Sequence, residues 1–528
     1  MLTREGVRLD ADIYRPETKE KLPVLLMRQP YGKAIASTVV YAHPSWYASQ
    51  GFIVVIQDVR GRGTSEGIFE LFSHEIEDGC EAVNWVAKLP GSDGNVGMYG
   101  FSYQGMTQLY AACDQPSALK TICPGMIAYN LYTDWAYENG AFCLQTNLSW
   151  AVQLAAETAK LNSDIPAYNL LYHAARNLDV NNLSTHLIET LRKYAPSNFY
   201  YEWLNHPHPG EYWEKLSPKT LMQNVDLPML HIGGWFDPYL RGTINLYKHM
   251  ETNSKFPQKL IIGPWCHLPW GRKIGEVDYG EAAVSKIDLF QVHWFNKYLK
   301  GIDSPVLAKP PICLFEMGSN QWRYFENLPQ DNKQVYYLVS DGLASIQSGE
   351  LITQKSTVIG EDKLVHDPWR PVPSLGGHNA IPAGSFERSH LDCRSDILTY
   401  ISQPLLEDLH ILGEVIGEFY CLADAPSFDL CVILSQVYPN GKVYNFTQGY
   451  MRVDSDILPI KISLQPTCIK IVKGNRLSLS LSGACFPAYP VNPGTGKFPG
   501  ESILIDCKII TLTVNFGGDN PSQIMVSI

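Results

Sequence analysis

The 528-residue sequence predicts an α/β domain interrupted by a helical insertion and followed by an all-β domain. Three observations predict it. Up to about residue 127, short apolar runs alternate with helical stretches. Between 128 and 226 the strand signals vanish, to return at 227. Beyond about 310, short alternating segments between Gly, Pro, Asn and Asp turns take over and helical signals become scarce.

Pro23–Met27 and Phe52–Ile56 are near-continuous apolar runs, as strands buried on both faces require. Glu75–Val86 reads as a crossover helix leading to a glycine-flanked strand at Asn95–Tyr99. That is the βαβ pattern of a mainly parallel sheet. The insertion carries helical periodicity over Trp150–Leu161 and Leu187–Tyr194. Strands resume at Leu227–Ile232 and Lys259–Ile262, with a helix over Leu240–Met250 between them. Val335–Val339 and Leu477–Leu481 typify the last region, which reads as a β-sandwich or jelly roll. The expected division is 1–127 and 227–309 for the two α/β parts, 128–226 for a helical cap and 310–528 for the jelly roll. This agrees with the three or four domains expected at roughly 150 residues each.

Composition excludes several classes. A hydrophobic content of 45% is that of a globular chain. A net charge of −11 argues against nucleic acid or an anionic membrane as a partner. No apolar run approaches the ~20 residues of a membrane span, and no signal-peptide core follows Met1, so the chain reads as cytoplasmic. The twelve cysteines include no C-x-x-C pair. Cys123, Cys313, Cys421 and Cys431 lie in apolar runs as buried thiols. No metal and no cofactor is expected, and the composition is compatible with a homo-oligomer.

The chemistry centres on Ser102, in Gly100-Phe101-Ser102-Tyr103-Gln104-Gly105. A strand precedes it, and Met106, Leu109, Tyr110 and Cys113 follow at helical spacing. A serine at a sharp strand-to-helix turn is the nucleophile elbow of α/β-hydrolases, although Gln104 stands where G-x-S-x-G has its second glycine. A serine hydroxyl needs a base, and the base needs an orienting acid. Asp237 follows one later strand, in Gly234-Trp235-Phe236-Asp237, and His267 the next, in Gly263-Pro264-Trp265-Cys266-His267. Residues at the carboxyl ends of parallel strands converge at one sheet edge. The expected roles are Ser102 as nucleophile, His267 as general base and Asp237 as its orienting acid. The plain alternatives are a helix N-cap for Asp237 and a structural histidine for His267; the combination favours catalysis.

The chain resembles the cocaine esterase/X-prolyl dipeptidyl peptidase family of serine hydrolases, the CocE/NonD hydrolases. The resemblance rests on Thr3–Leu9 with Asp12–Pro16, Arg28–Lys33, Gln57–Gly63, Gly94–Met98, the Ser102 string, the two strings ending at Asp237 and His267, and Pro373–Gly377. These run nearly the length of the chain in the family's order. The family's elbow departs from G-x-S-x-G too. The resemblance implies a catalytic α/β-hydrolase domain, a helical cap and a C-terminal jelly roll. It also implies an oxyanion hole made by the Tyr31 hydroxyl and the Tyr103 amide.

The implied activity is hydrolysis of carboxylic esters, and of amides in some members, through an acyl-enzyme on a small-molecule substrate. Trp235, Phe236 and Trp265 flank the triad positions and are candidates for an acyl pocket. Members that require a free α-amino group place carboxylates near the site. Glu276, Asp278 and Glu281 are candidates for such an ammonium site but do not align with the family's cluster. A carboxylesterase or acylase is therefore favoured over an X-prolyl dipeptidyl aminopeptidase or α-amino acid ester hydrolase. A reading from another class is a carbohydrate-binding protein on an inactive hydrolase scaffold. Asp58, Arg60 and Arg62 read as turn and ion-pair residues, and His206 and His208 as cap contacts.

Overall fold

The computed structural model describes residues 1–176, 185–328, 332–454, 457–498 and 501–528. Its main sheet holds β1 (Ala11–Tyr14), β2 (Leu22–Gln29), β3 (Ile53–Asp58), β4 (Ser92–Phe101), β5 (Leu119–Gly125), β6 (Met229–Phe236), β7 (Gln258–Cys266), β8 (Ile312–Glu316) and β9 (Gln321–Phe325). The spatial order is β1-β3-β2-β4-β5-β6-β7-β8-β9. Neighbours from β3 to β8 are parallel, and antiparallel β1 and β9 close the two edges. The central strands are buried along most of their length, which is why they read as continuous apolar runs.

The main sheet runs past the boundary expected at 310. β8 pairs with β7 and β9 turns back on β8, so both extend the main sheet. A short strand at a sheet edge carries the same local signal as a strand of the following β domain, and sequence pattern alone does not assign it to either.

Helices α1 (Pro44–Ser49), α2 (Glu75–Val86) and α3 (Tyr103–Cys113) pack on the sheet. The insertion contributes α4 (Leu144–Leu161), α5 (Ile165–Arg176) and α6 (Thr185–Tyr194), followed by three short helices within Phe199–Leu221. Beyond β9, strands from Lys333–Val339 to Gln523–Ser527 form an eleven-stranded β assembly. Its longest member, Leu409–Ala423, pairs with Ile460–Ile471, Ile510–Phe516 and Gln523–Ser527. One hydrophobic core passes from the main sheet (Ile262, Leu314, Phe315) into this domain (Ile411, Phe419, Leu464).

The cap is fastened to both neighbours. Leu144 N–H donates to the Ala488 carbonyl at 2.9 Å, and the Gln145 side chain exchanges two hydrogen bonds with the Ile381 backbone, at 2.9 and 3.2 Å. Glu138, buried before α4, meets His378 at 2.8 Å, Arg241 at 3.1 Å and the Tyr489 hydroxyl. Burial alone would raise the Glu138 carboxyl. His378 and Arg241 more than offset this and hold it at about 2.

Candidate active site

β4 and β5 end together, with Phe101 opposite Gly125, and β6 and β7 end together, with Phe236 opposite Cys266; β6 runs past its Gly125 partner Ile232. Ser102, Asp237 and His267 each follow the last residue of their strand, so the topology delivers all three to one sheet edge. Ser102 turns the chain from β4 into α3 with φ 58° and ψ −128°, outside the ordinary region for a side-chain-bearing residue. Its N–H donates to the Gly125 carbonyl at 2.9 Å, and its own carbonyl accepts from Gly105 and Met106 at 2.9 Å each. The late glycine has a packing reason. A Cβ at Gly105 would lie 2.4 Å from Ile127 Cγ2 and 2.8 Å from the Gly125 oxygen. The glycine that matters here lets α3 sit down on β5.

His267 Nδ1 lies 2.8 Å from Asp237 Oδ1. A carboxylate there accepts the Nδ1 proton, so Nε2 is the unprotonated nitrogen of the neutral ring. Asp237 is fully buried; its Oδ2 accepts from Tyr239 N–H at 3.2 Å, and its backbone carbonyl accepts from Gln465 of the all-β domain at 2.6 Å. Burial raises the Asp237 carboxyl above its ordinary value, opposed by His267. Phe101 and Tyr239 pack on the His267 ring, at 5.3 and 5.0 Å between centroids. Through Phe101, the histidine sits against the residue that precedes Ser102.

Tyr31 is brought near Ser102, whose side chain favours the ionised form of the phenol. Burial pushes the Tyr31 phenol up to about 12, against the hydrogen bond to Trp150, the charge of Arg62 and the side chain of Ser102. Its hydroxyl therefore keeps its proton at neutral pH. The loop that presents it is held from β3, where Asp58 accepts from Lys33 N–H at 2.6 Å and pairs with its ammonium at 3.4 Å. The Tyr103 side chain turns away to donate to Glu75 at 2.8 Å, and Glu75 is paired with buried Arg28 at 2.5 Å. The Tyr103 N–H opens α3, where the first amides lack intrahelical partners.

The remaining sequence candidates fall elsewhere. Trp235 and Trp265 are core side chains, with indole N–H groups donating to the Phe315 carbonyl at 2.7 Å and the Ala283 carbonyl at 2.8 Å. Phe236 is buried in the same cluster. These rings pack in the core at the strand ends. The ammonium candidates are exposed and already engaged. Asp278 is held by Arg272 at 2.8 Å, Glu281 reaches the same guanidinium at 3.3 Å, and Glu276 accepts from Glu387 N–H at 3.0 Å. At Asp278 and Glu281 the arginine neutralises the charge that an ammonium group would seek.

Arg60 pairs with Asp78 and Glu5, each at 2.7 Å, as a loop residue should. His206 stacks on Tyr212 within the cap, and His208 meets Phe498. Among the described residues, no three His, Cys, Asp or Glu side chains could hold a metal, and no helix is long and apolar enough to cross a membrane. Sequence reasoning missed Trp150, Trp135 and Tyr239. Trp135 packs on Tyr239 at 4.2 Å and on Trp150 at 5.1 Å, linking the cap to the residue that covers His267. The signal for the first two was weak, because they lie in cap sequence without a motif.

The family model for X-Pro dipeptidyl-peptidase (S15 family) matches residues 5–269. The chain belongs to the S15 family. A second model, for the X-Pro dipeptidyl-peptidase C-terminal non-catalytic domain, matches residues 306–525. This S15 protein is 28% identical over 560 residues to the cocaine esterase of Rhodococcus sp. (strain MB1 Bresler), covering 99% of this chain and 97% of that one. Its fold matches an aminopeptidase from a marine sediment archaeon (Thaumarchaeota archaeon) with a TM-score of 0.82 at 21% identity, covering 99% and 94% of the two chains. It also matches an α-amino acid ester hydrolase with a TM-score of 0.80 at 21% identity, covering 99% and 95%. The chain is a serine hydrolase of the CocE/NonD type, with an α/β-hydrolase domain, a helical cap and a β-rich C-terminal domain.

Proposed function

We propose that this hydrolase cleaves small carboxylic esters through an acyl-enzyme on Ser102. The observation that carries the reading is the 2.8 Å contact between His267 Nδ1 and Asp237 at the sheet edge that bears Ser102. Ser102 Oγ attacks the ester carbonyl as His267 Nε2 takes its proton. The carbonyl oxygen becomes an oxyanion, stabilised by the Tyr31 hydroxyl and the Tyr103 N–H. Collapse expels the alkoxide, which leaves as the alcohol with the proton from His267. Water then repeats the cycle on the acyl-serine, with His267 again base and then acid. Asp237 holds the ring orientation and stabilises the imidazolium.

Amide cleavage that depends on a free α-amino group is disfavoured by Asp278 and Glu281, both occupied by Arg272. The inactive-scaffold alternative is disfavoured by the pairing of His267 with Asp237 at the sheet edge that bears Ser102. Paired turnover of p-nitrophenyl butyrate and an α-amino acyl p-nitroanilide, with Ser102→Ala as blank, tests the proposal. Ester turnover lost in the variant supports it. Preferential cleavage of the amino-acyl amide would reject the ester preference.

A further inference from the structure

The hydroxyl of Tyr31 has a partner that no catalytic role accounts for. Trp150, on the cap helix α4, donates its indole Nε1–H to Tyr31 Oη at 3.1 Å. We propose that Trp150 is a positioning residue of the reaction, through which the cap aims and strengthens the Tyr31 hydroxyl as an oxyanion donor. The inference rests on the oxyanion role given to Tyr31 above.

Hydrogen-bond chemistry fixes the roles in this contact. An indole N–H can only donate, so the phenolic oxygen must accept and its own proton is left for another partner. On this proposal the proton is directed towards Ser102, which lies near enough to act on the phenol. Accepting one hydrogen bond polarises the hydroxyl and makes it a better donor in the next. The same contact removes the rotational choice of an isolated phenol, whose proton could otherwise point away from the reacting carbonyl.

Trp150 is itself held in place. Its ring packs on Trp135 at 5.1 Å and Phe199 at 4.8 Å. The α4 backbone around it is tied from outside the helix. Buried Arg62, from the loop after β3, donates to the Leu154 carbonyl at 3.2 Å, and Asn198 donates to the Ala151 carbonyl at 3.2 Å. Arg62 therefore acts on the site indirectly, by fixing the helix turn that carries Trp150.

The test is a double-mutant cycle of Trp150→Phe and Tyr31→Phe, read with p-nitrophenyl butyrate and with butylboronic acid. The tetrahedral boronate adduct places an oxygen where the oxyanion forms. Trp150→Phe keeps an aromatic ring and deletes the donor. The expected result is a loss of about tenfold in kcat and in boronate affinity, with KM changed by less than about twofold. In the Tyr31→Phe background the same substitution should have no further effect. The ratio of boronate Ki to KM does not depend on how much enzyme is folded, so it reads the contact even if Trp150→Phe is less stable. Equal losses in both backgrounds would make Trp150 a packing residue and overturn the proposal, as would an unchanged kcat in Trp150→Phe. A silent Tyr31→Phe would instead remove Tyr31 from the oxyanion hole and take this proposal with it.

Discussion

Ser102 holds a backbone conformation that costs about 1–3 kcal/mol for a residue with a side chain. Bonds from its N–H to Gly125 and from Gly105 and Met106 to its carbonyl enforce the turn. Ser102→Ala should lower kcat for p-nitrophenyl butyrate by about a million-fold, as in other triads where the nucleophile is removed. Asp237→Asn should lower it by about 10⁴, because the amide presents a donor to Nδ1 and favours the wrong imidazole tautomer. Tyr31→Phe should lower it by about 10²–10³, the loss of one oxyanion donor. A triple read on one ester settles whether each group has the role given to it, and near-wild-type turnover in any variant removes that group. Ser102, Asp237 and His267 were legible because each follows an apolar strand within a recognisable string. Trp150 was not: an indole on an amphipathic helix looks the same whether it fills a core or meets the Tyr31 hydroxyl.

The elbow shows how an element constrains its sequence. Gly105 stands one place later than the common string, and the space for its missing Cβ is filled by Ile127 and the Gly125 carbonyl. Gly105→Ala should destabilise the protein by about 1–3 kcal/mol by forcing α3 off β5. A lower urea midpoint at unchanged slope would report this. Unchanged stability would mean that the contact relaxes freely. Helix α2 was legible to the residue, with expected and observed spans both Glu75–Val86. Helix α4 begins at Leu144, ahead of the apolar stripe at Trp150, because its first turns bury Gln145 and Asn147. Those side chains bond the Ile381 backbone and the Ala136 carbonyl, and polar residues buried by another domain hide a helix from pattern reading. That β8 extends the main sheet was hidden for a related reason, since only tertiary pairing tells which sheet an edge strand joins.

Over the whole molecule, Glu138 joins the three parts: His378 and Tyr489 come from the all-β domain and Arg241 from the helix after β6. Its carboxyl is held at about 2, below the ~4.3 of an unfolded chain. The unfolded state therefore binds the proton first. The stabilisation is complete above about pH 4.5 and disappears as pH falls towards 2. Glu138→Gln should lower Tm at neutral pH, by the roughly 3–5 kcal/mol of a broken buried ion pair. Below about pH 4.5 its Tm should fall less steeply than that of the unmodified protein. Parallel Tm curves would mean that this carboxyl does not couple the domains. The division into three parts was legible, but this clamp was not, because its residues lie in separate stretches of chain that the fold alone brings together.

The same order of assembly bears on biosynthesis. A chain made from its N-terminus exposes β7, with His267 at its tip, as an open strand edge until β8 and β9 have been synthesised. The Glu138 clamp waits longer still, for Tyr489. A nascent chain halted between residues 267 and 489 contains Ser102, Asp237 and His267 yet lacks the Tyr489 end of the clamp that holds the cap, so esterase activity should appear only as translation nears its end.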